Sequence, residues 1–154
     1  MGFSFISLRL LLSNARDRTA ADALRLLQQE ACDPSPLLKG MAVFRQGERL
    51  YARPGCAPDL NGIKVITPGL WLARIGRSHV EPAHALAMAL PVDCALRHVD
   101  LSDDEAGAWL RGEAVPCDGE KGWTLALYRG MPLGWGKVSD GMLKNHLPKG
   151  LRRF

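Results

Sequence analysis

The basic residues that could bind a polyanion are concentrated at the carboxyl end of this chain. Residues 134–154 contain five basic side chains and one acidic side chain, so this stretch carries a charge of +4, equal to the formal net charge of all 154 residues. A local cationic surface attracts a local polyanion, and lysine and arginine contact phosphates without reading bases. We therefore predict a nucleic-acid-binding strip made of Lys137, Lys144, Lys149, Arg152 and Arg153.

Three more residues of this stretch could add contacts of another kind. Asn145 and His146 can hydrogen-bond to bases or to the 2′-hydroxyls of RNA. Trp135 stands between two glycines in a strand-like run, which allows close backbone approach, and it is either a stacking platform or, as we prefer, a core residue. If about five phosphates are neutralised, log affinity should fall with log salt at a slope of about −3.5 to −4.5.

Other clusters of reactive side chains are better explained by local structure than by catalysis. Pro82 lies between His79 and His84 and breaks the one-face helical geometry of an H-E-x-x-H zinc site. The acidic residues 103–105 follow Ser102 in a capping box, where serine and glutamate satisfy the free amides of a helix start. A carboxyl group that acts in acid–base catalysis needs a raised pKa, and a solvated helix N-terminus is a poor location for raising it. We predict no metal site and no catalytic carboxylate.

The cysteines are spaced for neither a zinc site nor a small disulfide framework. Cys32, Cys56, Cys94 and Cys117 include no C-x-x-C pair, and we predict free thiols in a reducing compartment. Cys117 follows Pro116, a dipeptide that can carry a nucleophile, but no dedicated base lies nearby in the sequence. The chain also lacks a glycine-rich nucleotide loop. No catalytic residue and no cofactor are therefore predicted.

The patterns along the chain place strands and helices in irregular order. Residues 17–32 carry an apolar stripe at helical spacing with Thr19 as N-cap, and residues 41–54 form a predicted hairpin around Gly47. Further strands are predicted at 62–66, 70–76, 123–128 and 133–138. Further helices are predicted with Pro82 as the first helical residue and after Ser102. This order predicts an α+β fold with a small, curved, barrel-like sheet and two or three helices.

The turn-rich residues 54–61 are the best candidate for a boundary. We predict a small helix and β-hairpin lobe at 1–56 and a second domain at 57–154. The apolar residues 3–12 contain Arg9 and have no basic region before them, so we expect a lead-in packed on the core rather than a signal peptide or a membrane span. The expected location is the cytoplasm, with no membrane contact.

The run GMPLGWGKVSDGMLKNHLPKGLRR (130–153) resembles the closing signature of the RsmF-type rRNA 5-methylcytosine methyltransferases of the Nop/Sun family. In that family a "G-x-P-L/I-G-x-x-K…LKN-x-YP-x-x-LR" run ends a C-terminal PUA-like RNA-binding domain. Upstream runs fall in the expected order, so the similarity covers nearly the whole chain. His146 stands where the family usually has an aromatic residue before the proline. The upstream runs are residues 50–54, 62–76, 81–90 and 101–115.

This resemblance implies a PUA-like fold for the second domain, and an RNA-binding function. Family enzymes carry an S-adenosylmethionine-binding domain and two catalytic cysteines ahead of this region. Neither is expected in these residues, so the chain is predicted not to be an enzyme by itself and Cys117 receives no catalytic role. The chain is expected to be either a stand-alone relative or a module cut from a longer enzyme.

The leading hypothesis is an RNA-binding module, with ribosomal RNA as its partner, that positions RNA for a 5-methylcytosine methyltransferase acting in cis or in trans. Two alternatives stay open at this point. The chain could be a trans-acting subunit of an S-adenosylmethionine-dependent rRNA methyltransferase. It could also be a ribosome-assembly module whose basic strip meets an acidic protein.

Overall fold

The computed structural model describes residues 19–56, 58–59 and 61–154, and the lead-in predicted at 3–12 lies outside them. Three α-helices occur in the described part, together with two short 3-10 helices at Val92–Cys94 and Lys149–Leu151. None of these helices is long and apolar enough to cross a membrane. The α-helices are α1 (Ala20–Glu30), α2 (His84–Ala89) and α3 (Asp103–Leu110).

The first sheet contains four antiparallel strands in the order β1-β2-β3-β4. The predicted hairpin is confirmed as β1 and β2, whose tight turn places Gly47 at φ 60°. The predicted N-cap is also confirmed, since the Asp22 backbone N–H donates to Thr19 Oγ1 at 3.2 Å and helix α1 packs against this sheet. The strands are β1 (Met41–Gln46), β2 (Arg49–Pro54), β3 (Leu70–Ile75) and β4 (Val80–Pro82).

Two local predictions in this region are wrong. Residues 62–66 form turns rather than a strand, because β3 takes the pairing position beside β2 and leaves Ile66 85 % exposed. Pro82 does not open a helix but ends β4, and Ala83 is the N-cap of α2. Strand β4 is the last strand of its sheet, where the missing N–H of a proline is tolerated.

The second sheet contains five strands in the order β5-β7-β8-β9-β6. Strands β7 and β8 confirm the predicted pair, and their connection is a two-residue turn in which Arg129 and Gly130 have φ of 51° and 74°. Asp140 and Gly141 make a second turn of this kind, which suits the twist of a hairpin. The strands are β5 (His98–Asp100), β6 (Val115–Pro116), β7 (Gly122–Tyr128), β8 (Met131–Ser139) and β9 (Met142–Asn145).

The second sheet is the middle layer of the molecule. One face packs on the first sheet and helices α1 and α2, where Trp123 and Trp135 join a core with Leu27, Leu72 and Leu86. The other face packs on α3, whose buried Trp109 contacts a separate apolar cluster of Ala126, Val138 and Leu143. Three α-helices and two sheets in the described residues confirm the predicted α+β class.

The segment before β5 joins the two sheets. The Asp33 N–H donates to Cys94 O at 2.8 Å, and the Leu96 N–H donates to Ala31 O at 2.9 Å. The Arg97 guanidinium donates to the carbonyls of Glu30 and Trp123 at 3.4 and 3.3 Å. These bonds hold the end of α1 against strand β7.

The domain division at residues 56 and 57 remains a prediction. Strand β2 lies before this boundary and β3 lies after it, and the two pair as neighbours in the same sheet. A division at this point would therefore separate two hydrogen-bonded strands.

Candidate nucleic-acid interface

Lys137 and Lys144 of the predicted strip share one face of the second sheet with His146, which was predicted to add a polar contact. Lys137 on β8 lies directly opposite Lys144 on β9 and, on its other side, opposite Trp123 on β7. Directly opposite residues on neighbouring strands project to the same face. His146 follows two residues after Lys144, and its ring stands edge-on to the Trp123 ring, with the centroids 4.6 Å apart. The sheet thus brings Lys137, Lys144 and His146 together around one tryptophan.

The charges of Lys137 and Lys144 are little neutralised by the described acidic side chains. Lys137 Nζ lies 5.4 Å from the centroid of the Trp123 ring, a cation–π contact, and forms no ion pair with any described acidic residue. Lys144 pairs with Asp140 at 3.8 Å, but both side chains are more than half exposed. Exposed pairs of this length contribute little. Lys149 is exposed as well, directly after Pro148.

The two arginines of the tail lie elsewhere, at the carboxyl end of α3. The Arg152 Nε donates to Leu147 O at 3.1 Å, and its side chain covers Gly112. The backbone N–H of Arg153 donates to Leu110 O at 2.8 Å. Cations are favoured near the free carbonyls of a helix end, so this placement stabilises α3. Arg152 and Arg153 are thus held by contacts at the end of α3, whereas Lys137 and Lys144 are paired across β8 and β9.

Trp135 and Asn145 are held by contacts within the protein. Trp135 is 2 % exposed in the core, so its ring offers no face to a base and the core interpretation is the correct one. The Asn145 amide donates to Trp109 O at 2.7 Å and to Glu113 O at 3.0 Å, while its oxygen accepts from the Leu147 N–H at 2.8 Å. Asn145 thus joins β9 to the end of α3, and its polar groups are engaged there.

The glycines beside Trp135 do permit close approach, as the sequence suggested. A Cβ on Gly136 would lie 2.6 Å from Trp109 Cη2, so only glycine lets α3 pack this closely on β8. A Cβ on Gly134, which has φ of 148°, would lie 3.2 Å from the ring of His84. At Gly134 and Gly136, the close approach therefore lets protein side chains pack against β8.

Two neighbouring pockets, both lined by Trp123 and together called the groove, were not predicted from the sequence. The Trp123 side chain lies in its wall. On one side the lining includes Trp71, Arg74, Glu81, His84 and His146, and on the other it includes His79, Arg97, Lys121 and Lys137. These residues come from both halves of the chain. One local feature of the sequence pointed to this surface. Arg74 stands between the apolar residues Ala73 and Ile75 of β3, and the structure leaves it exposed.

The residues that line the groove include four basic side chains (Arg74, Arg97, Lys121 and Lys137) and two acidic ones (Glu30 and Glu81). Arg74 pairs with Glu48 at 3.9 Å and with Glu81 at 3.7 Å, and Arg97 pairs with Glu120 at 3.5 Å. Lys121 is exposed and, like Lys137, has no ion pair among the described residues.

Desolvation disfavours the charged form of two histidines of the groove. Desolvation lowers the pKa of His84, whose Nδ1 is buried against Gly134 without a hydrogen-bond partner among the described residues. Desolvation also lowers the pKa of His146, where the charge of Lys137 acts in the same direction and Glu81 opposes it. The neutral form of each ring, which these shifts favour, has one hydrogen-bond donor and one acceptor.

The remaining candidates for chemistry lack a reactive arrangement. His79 Nε2 lies 3.2 Å from Glu81 Oε1, but no group of three or more possible metal ligands occurs in the described part of the chain. The four cysteines are free thiols. Burial raises the pKa of Cys32 to about 12, so this thiol is unreactive.

Two family models match this chain. A model described as the first C-terminal domain of the RsmF rRNA methyltransferase matches residues 27–90, which include the last turn of α1, the first sheet and α2. A model described as the PUA domain of the methyltransferase RsmF matches residues 96–153, which include the second sheet and α3. Together they cover most of the chain, and the groove lies between the two matched regions.

Proposed function

Because the chain belongs to the RsmF rRNA methyltransferase family, in which it corresponds to the first C-terminal domain and the PUA domain, we propose that it binds ribosomal RNA. The RNA backbone lies across the second sheet and contacts Lys137, Lys144 and Lys149. In this role the chain is a methyltransferase-associated RNA-binding module in the cytoplasm. It holds RNA for 5-methylcytosine formation at an active site outside the described residues.

The observation that carries this proposal is the pair of opposed lysines beside Trp123. Like charges directly opposite on neighbouring strands repel each other. Only Asp140 partly neutralises them among the described residues, at 3.8 Å from Lys144 Nζ. A phosphate backbone supplies the missing negative charge, and its binding releases counterions. Arg152 and Arg153 belong to a second, weaker contact region, since Arg152 already donates to the protein backbone.

The test measures the affinity for RNA as a function of salt concentration. A labelled RNA hairpin with a single-stranded flank is titrated with the chain, and fluorescence anisotropy is read at several salt concentrations. Three to five phosphate contacts predict a log–log slope of about −2 to −4.5. The double variant Lys137→Glu with Lys144→Glu should bind about tenfold more weakly or worse, with a slope less steep by about 1.4 to 1.8.

The matched control is Lys39→Glu with Lys64→Glu, which changes the total charge by the same amount at two exposed loop positions. This control should bind nearly as the parent chain does. A flat salt response, or equal losses in both double variants, contradicts a local RNA site. In a pull-down from cell extract, a partner that the chain still captures after nuclease treatment would instead favour an acidic protein over RNA.

A second experiment tests the absence of catalysis. The chain is incubated with ribosomal RNA and S-adenosylmethionine carrying a labelled methyl group. We expect no transfer by this chain alone. Transfer would show that the chain has an active site of its own. It would contradict the proposal that this chain binds RNA while 5-methylcytosine forms at another site.

A further inference from the structure

We propose that the cleft between the β3–β4 hairpin and the residues after β9 binds one unpaired cytosine of the RNA. This cleft is the part of the groove that contains Trp71, Glu81, His84 and His146, and it is called the base cleft below. The proposal rests on the proposed function, because it adds a base contact to the phosphate contacts. It goes beyond that function because it assigns specificity to residues outside the basic strip.

The base cleft has the size and the walls for a single flat ring. Its volume is about 200 Å³, which is below the roughly 300–1,000 Å³ of sites for drug-sized ligands. Trp71 and the exposed ring of His146 supply aromatic surface, and Trp123, which is only 3 % exposed, also lines the cleft. Unpaired RNA bases are bound by stacking on such rings.

The aromatic walls are held in place before any ligand binds. The Trp71 Nε1 donates to Ala73 O at 3.0 Å, and the Arg49 guanidinium lies 4.7 Å from the centroid of the Trp71 ring. His146 is fixed by its edge-on contact with Trp123 and by its backbone N–H, which donates to Trp135 O at 3.2 Å. Binding therefore orders few side chains, which limits its entropic cost.

The polar groups of the base cleft favour a base with an amino group. The Glu81 carboxylate contacts Arg74 and His79, but two carboxylate oxygens have about four acceptor positions, so it can accept another hydrogen bond. A carboxylate accepts from the N4 amino group of cytosine and repels the O4 carbonyl of uracil. The small volume favours a pyrimidine over a purine.

The base cleft lies beside the phosphate contacts. His146 lines the cleft and is two residues from Lys144, and Lys149 directly follows Pro148, another lining residue. A nucleotide with its base in the cleft therefore has lysines near its backbone. Phosphate and base contacts can then come from a single continuous strand.

The test compares ten-residue oligocytidine with ten-residue oligouridine on the full chain by fluorescence anisotropy. We expect the parent chain to prefer oligocytidine by about 5- to 10-fold, which is the lower end of base discrimination by side chains. Glu81→Gln should remove most of this preference, because glutamine can both donate and accept. Glu48→Gln is the matched control, since Glu48 also pairs with Arg74 but does not line the cleft.

Two His146 variants test stacking. His146→Ala should weaken binding of oligocytidine by about 5-fold or more, the loss expected for one stacked base, whereas His146→Phe keeps an aromatic ring and should retain most of the affinity. Thermal unfolding shows whether each variant is folded. Equal binding of both oligomers by the parent chain, with a steep salt response, overturns the base cleft and leaves the proposed function standing.

A titration with cytidine alone separates the two proposals further. Cytidine lacks a phosphate, so it reports on the base cleft without the lysines. We expect shifts of the indole resonances of Trp71 and Trp123 in NMR spectra, and no comparable shifts with uridine. Shifts without RNA binding would support the cleft and contradict the proposed function, whereas the absence of shifts at millimolar cytidine contradicts the cleft.

Discussion

Lys137 and Lys144 lie directly opposite each other on neighbouring strands, with Asp140 as the acidic partner of Lys144. Like charges in this position destabilise a sheet by about 0.2–1 kcal/mol. The contact of Lys137 with Trp123 and the Asp140 pair offset part of this cost. A bound polyanion removes the repulsion. The two lysine charges therefore lower the folding stability of the free chain, whereas the same charges favour RNA binding.

Removing the acidic partner should therefore strengthen RNA binding. Asp140 has φ of 56°, a conformation that asparagine also tolerates, so Asp140→Asn should keep the turn intact. The loss of one exposed ion-pair partner should tighten RNA binding by about 1.5- to 5-fold at low salt. Asp118→Asn, at another exposed position, makes the same change in total charge and should have little effect. Equal effects of the two substitutions would indicate a response to net charge alone.

Asn145 should be required for stability rather than for RNA contact. Asn145→Ala leaves the carbonyls of Trp109 and Glu113 and the N–H of Leu147 without their partner. We expect a loss of about 1–3 kcal/mol in the free energy of unfolding, measured in urea. Asn61→Ala, whose amide contacts only Asp59, should stay within about 0.5 kcal/mol. A loss of RNA affinity without a loss of stability would support the RNA contact predicted from the sequence.

Gly136 should tolerate no side chain. A Cβ at this position would lie 2.6 Å from Trp109 Cη2 and 2.7 Å from Leu143 Cδ1, both inside the core between α3 and β8. Gly136→Ala should lower the unfolding free energy by about 1–3 kcal/mol through overpacking. Gly150→Ala is the comparison, because nothing lies within 4 Å of its Cβ position. A neutral Gly136→Ala would mean that α3 can move away from the sheet without cost.

Acid should destabilise the fold through His84. Burial lowers the pKa of His84 below its ordinary value of 6.5, so below that pH the unfolded chain binds more protons than the folded one. Stability should therefore fall as the pH drops below about 6.5, until the folded-state pKa is reached. Urea unfolding at pH 7.5 and pH 5 measures this difference. His84→Gln should reduce it without removing it, since His146 contributes a loss of the same sign.

The control for this experiment is His98→Gln, at an exposed position on the edge strand β5. This substitution should leave the difference between the two pH values nearly unchanged. A His84→Gln variant with the full acid sensitivity of the parent chain would contradict the assignment to His84.

Local signals in the sequence predicted much of the fold. Thr19 with Asp22 and Ser102 with Glu105 form the capping boxes expected at helix starts, because each bonds groups only three residues apart. The turn at Gly47 and the strands of the β7–β8 hairpin were recognisable for the same reason. Strands β5 and β6 were not predicted, since they contain three and two residues and depend on partners distant in the sequence.

The sequence by itself determined that the carboxyl end is cationic and that it belongs to a PUA-like domain, because composition and motif are properties of the chain order. Tertiary structure decided which cations lie side by side. Strand register places Lys137 beside Lys144, whereas hydrogen bonds to Leu147 and Leu110 place Arg152 and Arg153 at the end of α3. The groove that joins Trp71 to His146 also arises only on folding, because its walls are two sheets whose residues are far apart in sequence.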